Sequence, residues 1–359
     1  LLSGFDVYVD GSSPATARGI SLQGAYFPVI DDVLLYGLNG NGVETLNSAA
    51  WSSTDKFSNA DITMNRVVIT ACLGWGVLST AFSNTYRLND CYITANYGGF
   101  CAVGSGHILS SGAVAGNGIT GNTGATVAVT SVAFANGVAV VTTTGAHGYA
   151  TGDAVCMTEA TGTGYNGVHS ITKTGASTFT YPLYADPAST TGTITAQQLS
   201  GGIIFAYQGG FQNMNCRADE VEIQVNNPRQ IWMQGQNCIT DRCRILDDDQ
   251  GTATFHSPVQ VDIGGIRGAL SDSNYMRNCF FRMTSASGTP AVTLMRANLA
   301  ETPGLQTARW NKLENPNIAY TGAPVITNAS MTNSGSKWAF GNVQTSTPTY
   351  TASAYISAN

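Results

Sequence analysis

The chain has 359 residues, a formal net charge of -6 and only 11 % charged residues. Nucleic-acid-binding proteins usually carry a basic stripe, so this charge balance argues against a nucleic-acid partner. The sequence contains no apolar run of 18 residues, so no membrane insertion is predicted. With 41 glycines and 43 % apolar residues, the composition predicts a folded, turn-rich β protein.

The first strand-like segments are short and end in turns. Residues 33–36 read Val-Leu-Leu-Tyr, and residues 39–42 read Asn-Gly-Asn-Gly, which is typical of a tight turn. Residues 65–71 then align with residues 89–95 at an offset of 24, with asparagine, isoleucine and threonine at equivalent positions. A repeat of this length with alternating apolar and polar residues predicts parallel strands that stack with one face buried.

A segment with a different composition and sequence pattern interrupts this repeat. Residues 110–124 are rich in glycine, serine and alanine and are predicted to leave the repeat as a loop. Between residues 125 and 196, two alternating segments flank Asn136-Gly137, a residue pair favoured in two-residue hairpins. This interval therefore predicts a small inserted β-domain.

Three short motifs in the inserted interval carry a family resemblance. They are His-Gly-x-x-Thr-Gly-Asp at residues 147–153, Tyr-Asn-Gly at 165–167 and Phe-Thr-Tyr at 179–181. The interval resembles a small β-module that recurs in phage virion proteins and is similar to a domain of ubiquitin-activating enzymes. The resemblance implies a viral tail or fibre protein, and it implies no catalytic role by itself.

The clearest repeat follows the insertion. Residues 215–223 align with residues 237–245 at an offset of 22, which pairs Glu220 with Arg242 and Glu222 with Arg244. Residues 205–209 similarly align with residues 231–235 at an offset of 26. These spacings predict neighbouring parallel strands, with apolar residues stacked inside and weak charged pairs outside.

The whole pattern predicts an all-β protein: a right-handed single-stranded parallel β-helix (solenoid) interrupted by a small β-barrel or sandwich-like insertion. The predicted segments are the N-terminal part of the β-helix at 1–124, the insertion at 125–196, the continuing β-helix at 197–300, and terminal coils, a cap and an extended tail at 301–359. Solenoid and insertion together resemble bacteriophage tailspike and tail-fibre proteins. That resemblance implies a virion location, a homotrimer, contacts with other virion proteins and binding to a bacterial surface glycan.

Acidic residues in the later repeats are the candidate catalytic groups. Asp219 and Asp241 occupy equivalent positions of two repeats, and Asp247, Asp248 and Asp249 follow the second of them. Two carboxylates that face one sugar serve as general acid and as base or nucleophile in glycoside hydrolysis. Aspartate is also common in turns, so a structural role for all five stays open.

A polysaccharide lyase would instead need a base, together with cations held by several carboxylates. No lyase signature is present, and the candidate bases are chosen by location alone: Arg242, Arg244, Arg267, Arg277 and Arg282.

Four aromatic residues are candidate glycan-binding residues: Trp75, Tyr97, Tyr207 and Trp232. A ring exposed on a solenoid face stacks on the apolar face of a sugar, and neighbouring amides supply hydrogen bonds. Alternating strands also bury aromatic residues, so a core position is the alternative.

No cofactor and no metal site is predicted. The eight cysteines contain no C-x-x-C pair, and the four histidines lie far apart in the sequence. Nucleotide-binding and hydrolase fingerprints are absent from the sequence.

The predicted function is recognition of bacterial surface polysaccharide by a virion fibre or tailspike protein, with or without cleavage. Two alternatives stay open: a secreted or virion-borne depolymerase acting as hydrolase or lyase, and a purely structural virion component. An exposed aromatic and amide patch without close carboxylates would indicate binding. Two carboxylates about 5–10 Å apart in a groove would indicate cleavage.

Overall fold

In the computed structural model, most of the described residues of the chain lie in β-strands. The structure describes residues 1–8, 17–46, 59–118, 126–183, 187, 190–209, 214–247, 259–264, 273–284, 293–298, 312–314, 317–321, 337–339 and 343–344. The described part contains no α-helix and one 3-10 turn, at Thr163–Tyr165. The prediction of an all-β protein is therefore confirmed, and no helix of the described part is long and apolar enough to cross a membrane.

In the part of the chain that the structure describes, nine strands precede the inserted segment: β1 Leu2–Tyr8, β2 Ile20–Gln23, β3 Val29–Tyr36, β4 Val43–Leu46, β5 Asn59–Asn65, β6 Val68–Thr70, β7 Trp75–Thr94, β8 Gly98–Ser105 and β9 Ile108–Ala115. Seven strands form it: β10 Thr126–Ala135, β11 Val138–Thr143, β12 Ala154–Thr158, β13 Gly167–Ser170, β14 Thr172–Lys173, β15 Thr178–Pro182 and β16 Thr195–Gln198.

Fourteen strands follow in the described residues: β17 Gly201–Ala206, β18 Arg217–Asp219, β19 Glu222–Gln224, β20 Arg229–Met233, β21 Ile239–Asp241, β22 Arg244–Asp247, β23 Val259–Gly264, β24 Tyr275–Arg277, β25 Phe280–Thr284, β26 Thr293–Asn298, β27 Lys312–Glu314, β28 Asn317–Thr321, β29 Lys337–Ala339 and β30 Val343–Gln344.

The strands outside the inserted segment pair in parallel along three ladders. The first ladder joins β2, β4, the start of β7, β8, β17, β20, β23 and β26. The second joins the start of β3, β5, the middle of β7, the start of β9, β18, β21, β24, β27 and β29. The third joins the ends of β1 and β3, β6, the ends of β7 and β9, β19, β22, β25, β28 and β30.

Two of the three predicted repeat offsets are confirmed. Asn65 pairs with Asn89 at an offset of 24, and Asp219 pairs with Asp241 at an offset of 22. The offset of 26 is wrong, because Phe205 pairs with Met233, at 233 − 205 = 28. A shift of two residues keeps every side chain on the same face of a strand, so the alternating pattern could not reveal the error.

The predicted loop at residues 110–124 is also partly wrong. Residues 110–115 belong to β9, which lies between β7 on one side and β18 and β19 on the other. Small side chains let this strand fit between its neighbours: a Cβ on Gly112, whose φ is +81°, would lie 2.7 Å from the backbone nitrogen of Cys91.

A single left-handed residue makes the corner between the second and third ladders in successive circuits of the chain. These residues have φ between 51° and 58°, and they are Asp32, Arg66, Asp90, Ser111, Glu220, Arg242 and Asn278. Aspartate and asparagine tolerate this conformation better than most side chains, which fits their presence at the corner. The corner also turns charged side chains outward, where Arg66 meets Asp32 and Arg242 meets Glu220.

A column of buried amide side chains stacks along another corner. Asn96 Nδ2 donates to Asn117 Oδ1, Asn117 Nδ2 donates to Asn226 Oδ1 at 2.8 Å, and Asn226 Nδ2 donates to Gln230 Oε1. Asn117 and Asn226 are 109 residues apart in the chain. The column is therefore continuous between the strands that precede the inserted segment and those that follow it.

The inserted segment forms its own seven-stranded antiparallel sheet, here called the module, in the order β13-β12-β16-β10-β11-β15-β14. The predicted hairpin is confirmed: Ala135 pairs with Val138, and Asn136 and Gly137 both have positive φ, at 50° and 80°. A buried cluster that includes Tyr149, Phe179 and Tyr181 fills the module.

Strand alternation divides the apolar residues of the first ladder between two clusters. In β8, Phe100 and Ala102 point into the main core between the ladders, whereas Cys101 and Val103 point outward. The outward residues are buried nonetheless, because the module packs on this face through Ala154, Cys156, Val168 and Leu199. The module thus covers the outer face of the first ladder.

Candidate functional site

Asp219 and Asp241 lie side by side on the outer face of the second ladder, as predicted, but arginines hold both. Asp219 contacts Arg217 at 2.9 Å and Arg242 at 2.8 Å. Asp241 contacts the same two arginines at 3.3 Å and Arg277 at 2.9 Å. The outer pairs predicted between Glu220 and Arg242 and between Glu222 and Arg244 are confirmed, at 2.9 and 2.8 Å.

The surroundings of Asp241 favour its ionised form. Burial raises the pKa of this carboxyl, but hydrogen bonds donated by Arg277 and Asn278 and the charges of Arg277 and Arg242 outweigh burial and lower it. A general acid in glycoside hydrolysis needs a raised pKa. Asp241 therefore serves as an ionised partner in an ion-pair network at neutral pH.

The remaining catalytic candidates gain no support as a site. Asp247 ends β22, and Asp248, Asp249 and Arg267 lie outside the described residues. Arg242, Arg244 and Arg277 each bind a carboxylate, and the hydrogen bond to Glu220 with the nearby charge of Asp219 raises the pKa of Arg242 further. Raising that pKa opposes a role as base, and Arg282 lies on β25.

We expect the Asp241→Asn variant to lose about 2 kcal/mol of unfolding free energy at pH 7, because hydrogen bonds to a charged group are worth about 1.5–3 kcal/mol. The folded pKa of Asp241 is lowered, so this stabilisation is present above the unfolded pKa and disappears as pH falls through the folded value. Urea unfolding at pH 7 and at pH 3 measures it. A wild-type advantage that is equal at both pH values would contradict the ion-pair role, and Glu222→Gln, in a more exposed pair, is the control.

Three of the four aromatic candidates are core residues. Trp75, Tyr207 and Trp232 are 1 %, 1 % and 3 % exposed and belong to the cluster between the first ladder and the module. The expectation of exposed rings on a solenoid face is corrected for these three. Trp232 points outward as alternation predicts, since Ile231 and Met233 point into the main core, and the module covers all three rings.

We expect Val168→Asp to release the module from the ladder, since it places a charge inside this apolar cluster. The tryptophan emission should shift to longer wavelength as Trp75 and Trp232 meet water. Val140→Asp is the matched control, because Val140 lies on the module at 37 % exposure. An unshifted spectrum in a folded Val168→Asp protein would show that the module does not cover these rings.

A cleft of about 150 Å³ opens where the module meets the ladder strands. Trp75 and Tyr97 line it from the ladder side together with Arg18, and residues 150–153 line it from the module. The structure thus brings together two of the four predicted glycan-binding residues with the Thr-Gly-Asp end of the module motif. Asp153 is the functional candidate that sequence reasoning missed, although its motif was recognised.

Trp75 and Tyr97, which line the cleft, each carry a buried hydrogen-bond donor without a partner among the described residues, Nε1 and Oη respectively. Buried donors in folded proteins are nearly always paired, so two such donors on residues of one cleft are consistent with a binding site there. Trp75 is fixed by its backbone N–H, which donates to Asn41 Oδ1 at 2.8 Å, and by close packing on Gly98.

Asp153 is the carboxylate of the cleft. It accepts hydrogen bonds at Oδ2 from the backbone N–H of Ala150 at 2.7 Å and from Gln198 Nε2 at 2.5 Å. Burial raises its pKa, and the Ala150 hydrogen bond and the charges of His147 and Lys173 oppose that rise. Burial, followed by the charge of Asp153, raises the pKa of Tyr97, so this phenol stays protonated and able to donate.

Arg18 lies on the ladder side of the cleft, and its side chain is held in place by hydrogen bonding. Its Nε donates to Glu44 at 2.8 Å, and Glu44, only 3 % exposed, also accepts hydrogen bonds from Ser21 and Asn41. The guanidinium and the Glu44 carboxylate therefore neutralise each other. The cleft has the chemistry of a polar binding site: rigid donors, one accessible carboxylate and an aromatic wall.

Other titratable groups in the described residues do not form a site. No group of three or more metal-ligating side chains is present there, and the eight cysteines are buried. Burial lowers the pKa of His107 and of His169 to about 3, so both imidazoles are neutral core residues.

Comparison with known proteins assigns this chain to no family. No family model matches the chain, and no curated protein matches it. Among solved structures, the crystal structure of alginate lyase from Paenibacillus sp. str. FPU-7 is similar, with a TM-score of 0.32 and 8 % sequence identity over 91 % of this chain and 97 % of that chain. At this TM-score and identity, the likeness supports no conclusion about fold or activity.

Proposed function

We propose that this chain is a phage tailspike or tail-fibre-like protein that recognises bacterial surface polysaccharide in the cleft between ladder and module. The observation that carries the proposal is the pair of unpartnered donors, Trp75 Nε1 and Tyr97 Oη, beside the carboxylate of Asp153. Sugar hydroxyls both donate and accept hydrogen bonds, so they satisfy these donors and this acceptor together.

The proposal includes a fold and an assembly. The three parallel ladders support a parallel β-helix. We propose that this helix is right-handed and divided at 1–124, 197–300 and 301–359, with an inserted β-domain at 125–196. By resemblance to tailspikes, the chain acts as a homotrimer in a virion and contacts other virion proteins. Recognition is favoured over cleavage because Asp219 and Asp241 are tied to arginines.

We expect Tyr97→Phe to weaken polysaccharide binding about tenfold or more, since it removes one buried hydrogen bond of about 1.4 kcal/mol and leaves the ring in place. Biolayer interferometry on immobilised capsule and lipopolysaccharide preparations from a panel of bacteria measures this. Tyr92→Phe is the matched control, because Tyr92 is 50 % exposed on the third ladder and does not line the cleft. Equal loss in both variants, or no loss in Tyr97→Phe, would refute the cleft as the binding site.

A further inference from the structure

The size of the cleft limits what it can hold. Pockets for drug-sized ligands measure about 300–1,000 Å³, and this one measures about 150 Å³. A cleft of this volume has room for one sugar ring and not for a length of polymer. The sugar that enters it must therefore be a chain end or a side branch, with the rest of the chain outside.

The polar groups of the cleft match hydroxyls more closely than a carboxylate. Trp75 Nε1 and Tyr97 Oη, on residues of one wall, are donors without a partner among the described residues. Both hydrogen bonds that Asp153 accepts use Oδ2, which leaves Oδ1 as an acceptor on the other wall. A ring with hydroxyls on two sides can accept from the first wall and donate to the second.

The charge balance disfavours an acidic sugar. Arg18 and Glu44 neutralise each other at 2.8 Å, and no ion pair involving Asp153 occurs in the described chain. His147 and Lys173 act on Asp153 from a greater distance. A second carboxylate placed in so small a cleft would lie close to Asp153, and like charges at short separation repel.

From these observations, and resting on the proposed function, we propose that the cleft binds a single uncharged sugar unit at a chain end or side branch and rejects the corresponding uronic acid through Asp153. The module supplies the discriminating carboxylate, and the ladder supplies Trp75 and Tyr97.

Saturation-transfer NMR and equilibrium titration with a panel of methyl hexopyranosides and the matching methyl hexuronides test this on the full chain. We expect at least one neutral glycoside to bind, its affinity to fall about tenfold in Tyr97→Phe, and its uronide to bind at least tenfold more weakly. The Asp153→Asn variant keeps the side-chain size and removes the charge, so it should narrow the gap between glycoside and uronide to less than threefold.

Each contrary result has a separate meaning. Uronides that bind wild type as well as neutral glycosides do, or an unchanged gap in Asp153→Asn, would overturn the charge argument. Polysaccharide binding that depends on Tyr97 with no binding of any single sugar would overturn the one-unit site while leaving the proposed function standing. No binding of polysaccharide to wild type would overturn both.

Discussion

Asn117→Ala is expected to destabilise the protein by about 4 kcal/mol. Asn117 is fully buried; its Nδ2 donates to the Ile93 carbonyl at 3.0 Å, and its Oδ1 accepts from the Asn96 backbone N–H at 3.0 Å. Alanine leaves both backbone groups buried without a partner, and each such group costs about 1–3 kcal/mol. Asn226 Oδ1 keeps the N–H of residue 117, and Asn96 Nδ2 loses Asn117 Oδ1 but keeps the Ile69 carbonyl, so most of the loss comes from the two backbone groups.

Urea denaturation followed by circular dichroism measures this loss. Asn89→Ala is the matched control, because Asn89 Nδ2 also donates to an asparagine, Asn65, at 2.8 Å, but near the surface, where water replaces the partner. We expect the control to lose about 0.5 kcal/mol. If Asn117→Ala cost no more than Asn89→Ala, the buried amide column would not hold the ladders together across the module.

Arg229→Ala is expected to cost about 3–5 kcal/mol, the usual result of removing one partner of a buried ion pair. Arg229 Nε lies 2.8 Å from Asp262 Oδ2, and these side chains are 14 % and 0 % exposed. The guanidinium also lies over the Trp232 ring, 4.1 Å from its centroid. The truncation therefore leaves a buried carboxylate without this cation and uncovers the ring.

A matched exposed pair separates the effect of burial from that of charge. Arg244 lies 2.8 Å from Glu222, at 58 % and 33 % exposure, and Arg244→Ala should cost less than about 1 kcal/mol. The double variant Arg229→Met with Asp262→Leu should recover most of the stability, since an apolar pair of similar volume avoids the buried charge. A double variant as unstable as Arg229→Ala would contradict this explanation.

The sequence predicted the repeats well where chemically distinctive residues recur. The repeated asparagines Asn65 and Asn89 indicated the register at offset 24, and the matching of opposite charges indicated the register at offset 22. The alignment of Phe205 failed by two residues because both registers place apolar residues inside. Alternation reports which face a residue occupies and does not report which partner it meets.

Features that join distant parts of the chain could not be predicted. The Asn117 to Asn226 contact spans 109 residues, and no local pattern marks it. Trp232 follows the alternation of outward-facing residues and Trp75 belongs to the same cluster, and only the docking of the module on that face buries them. The cleft could not be predicted for the same reason. Its lining residues Tyr97 and Asp153 come from two separate sheets, which only the packing of the module on the ladder brings together.

Recognition without cleavage is the central claim, and one assay tests it most directly. Purified protein is incubated with each capsule or lipopolysaccharide that it binds, and reducing ends and unsaturated uronates are followed over time. We predict saturable binding that Tyr97→Phe weakens, with neither product rising above a protein-free control. Production of either product in proportion to protein concentration would contradict the claim and establish a depolymerase.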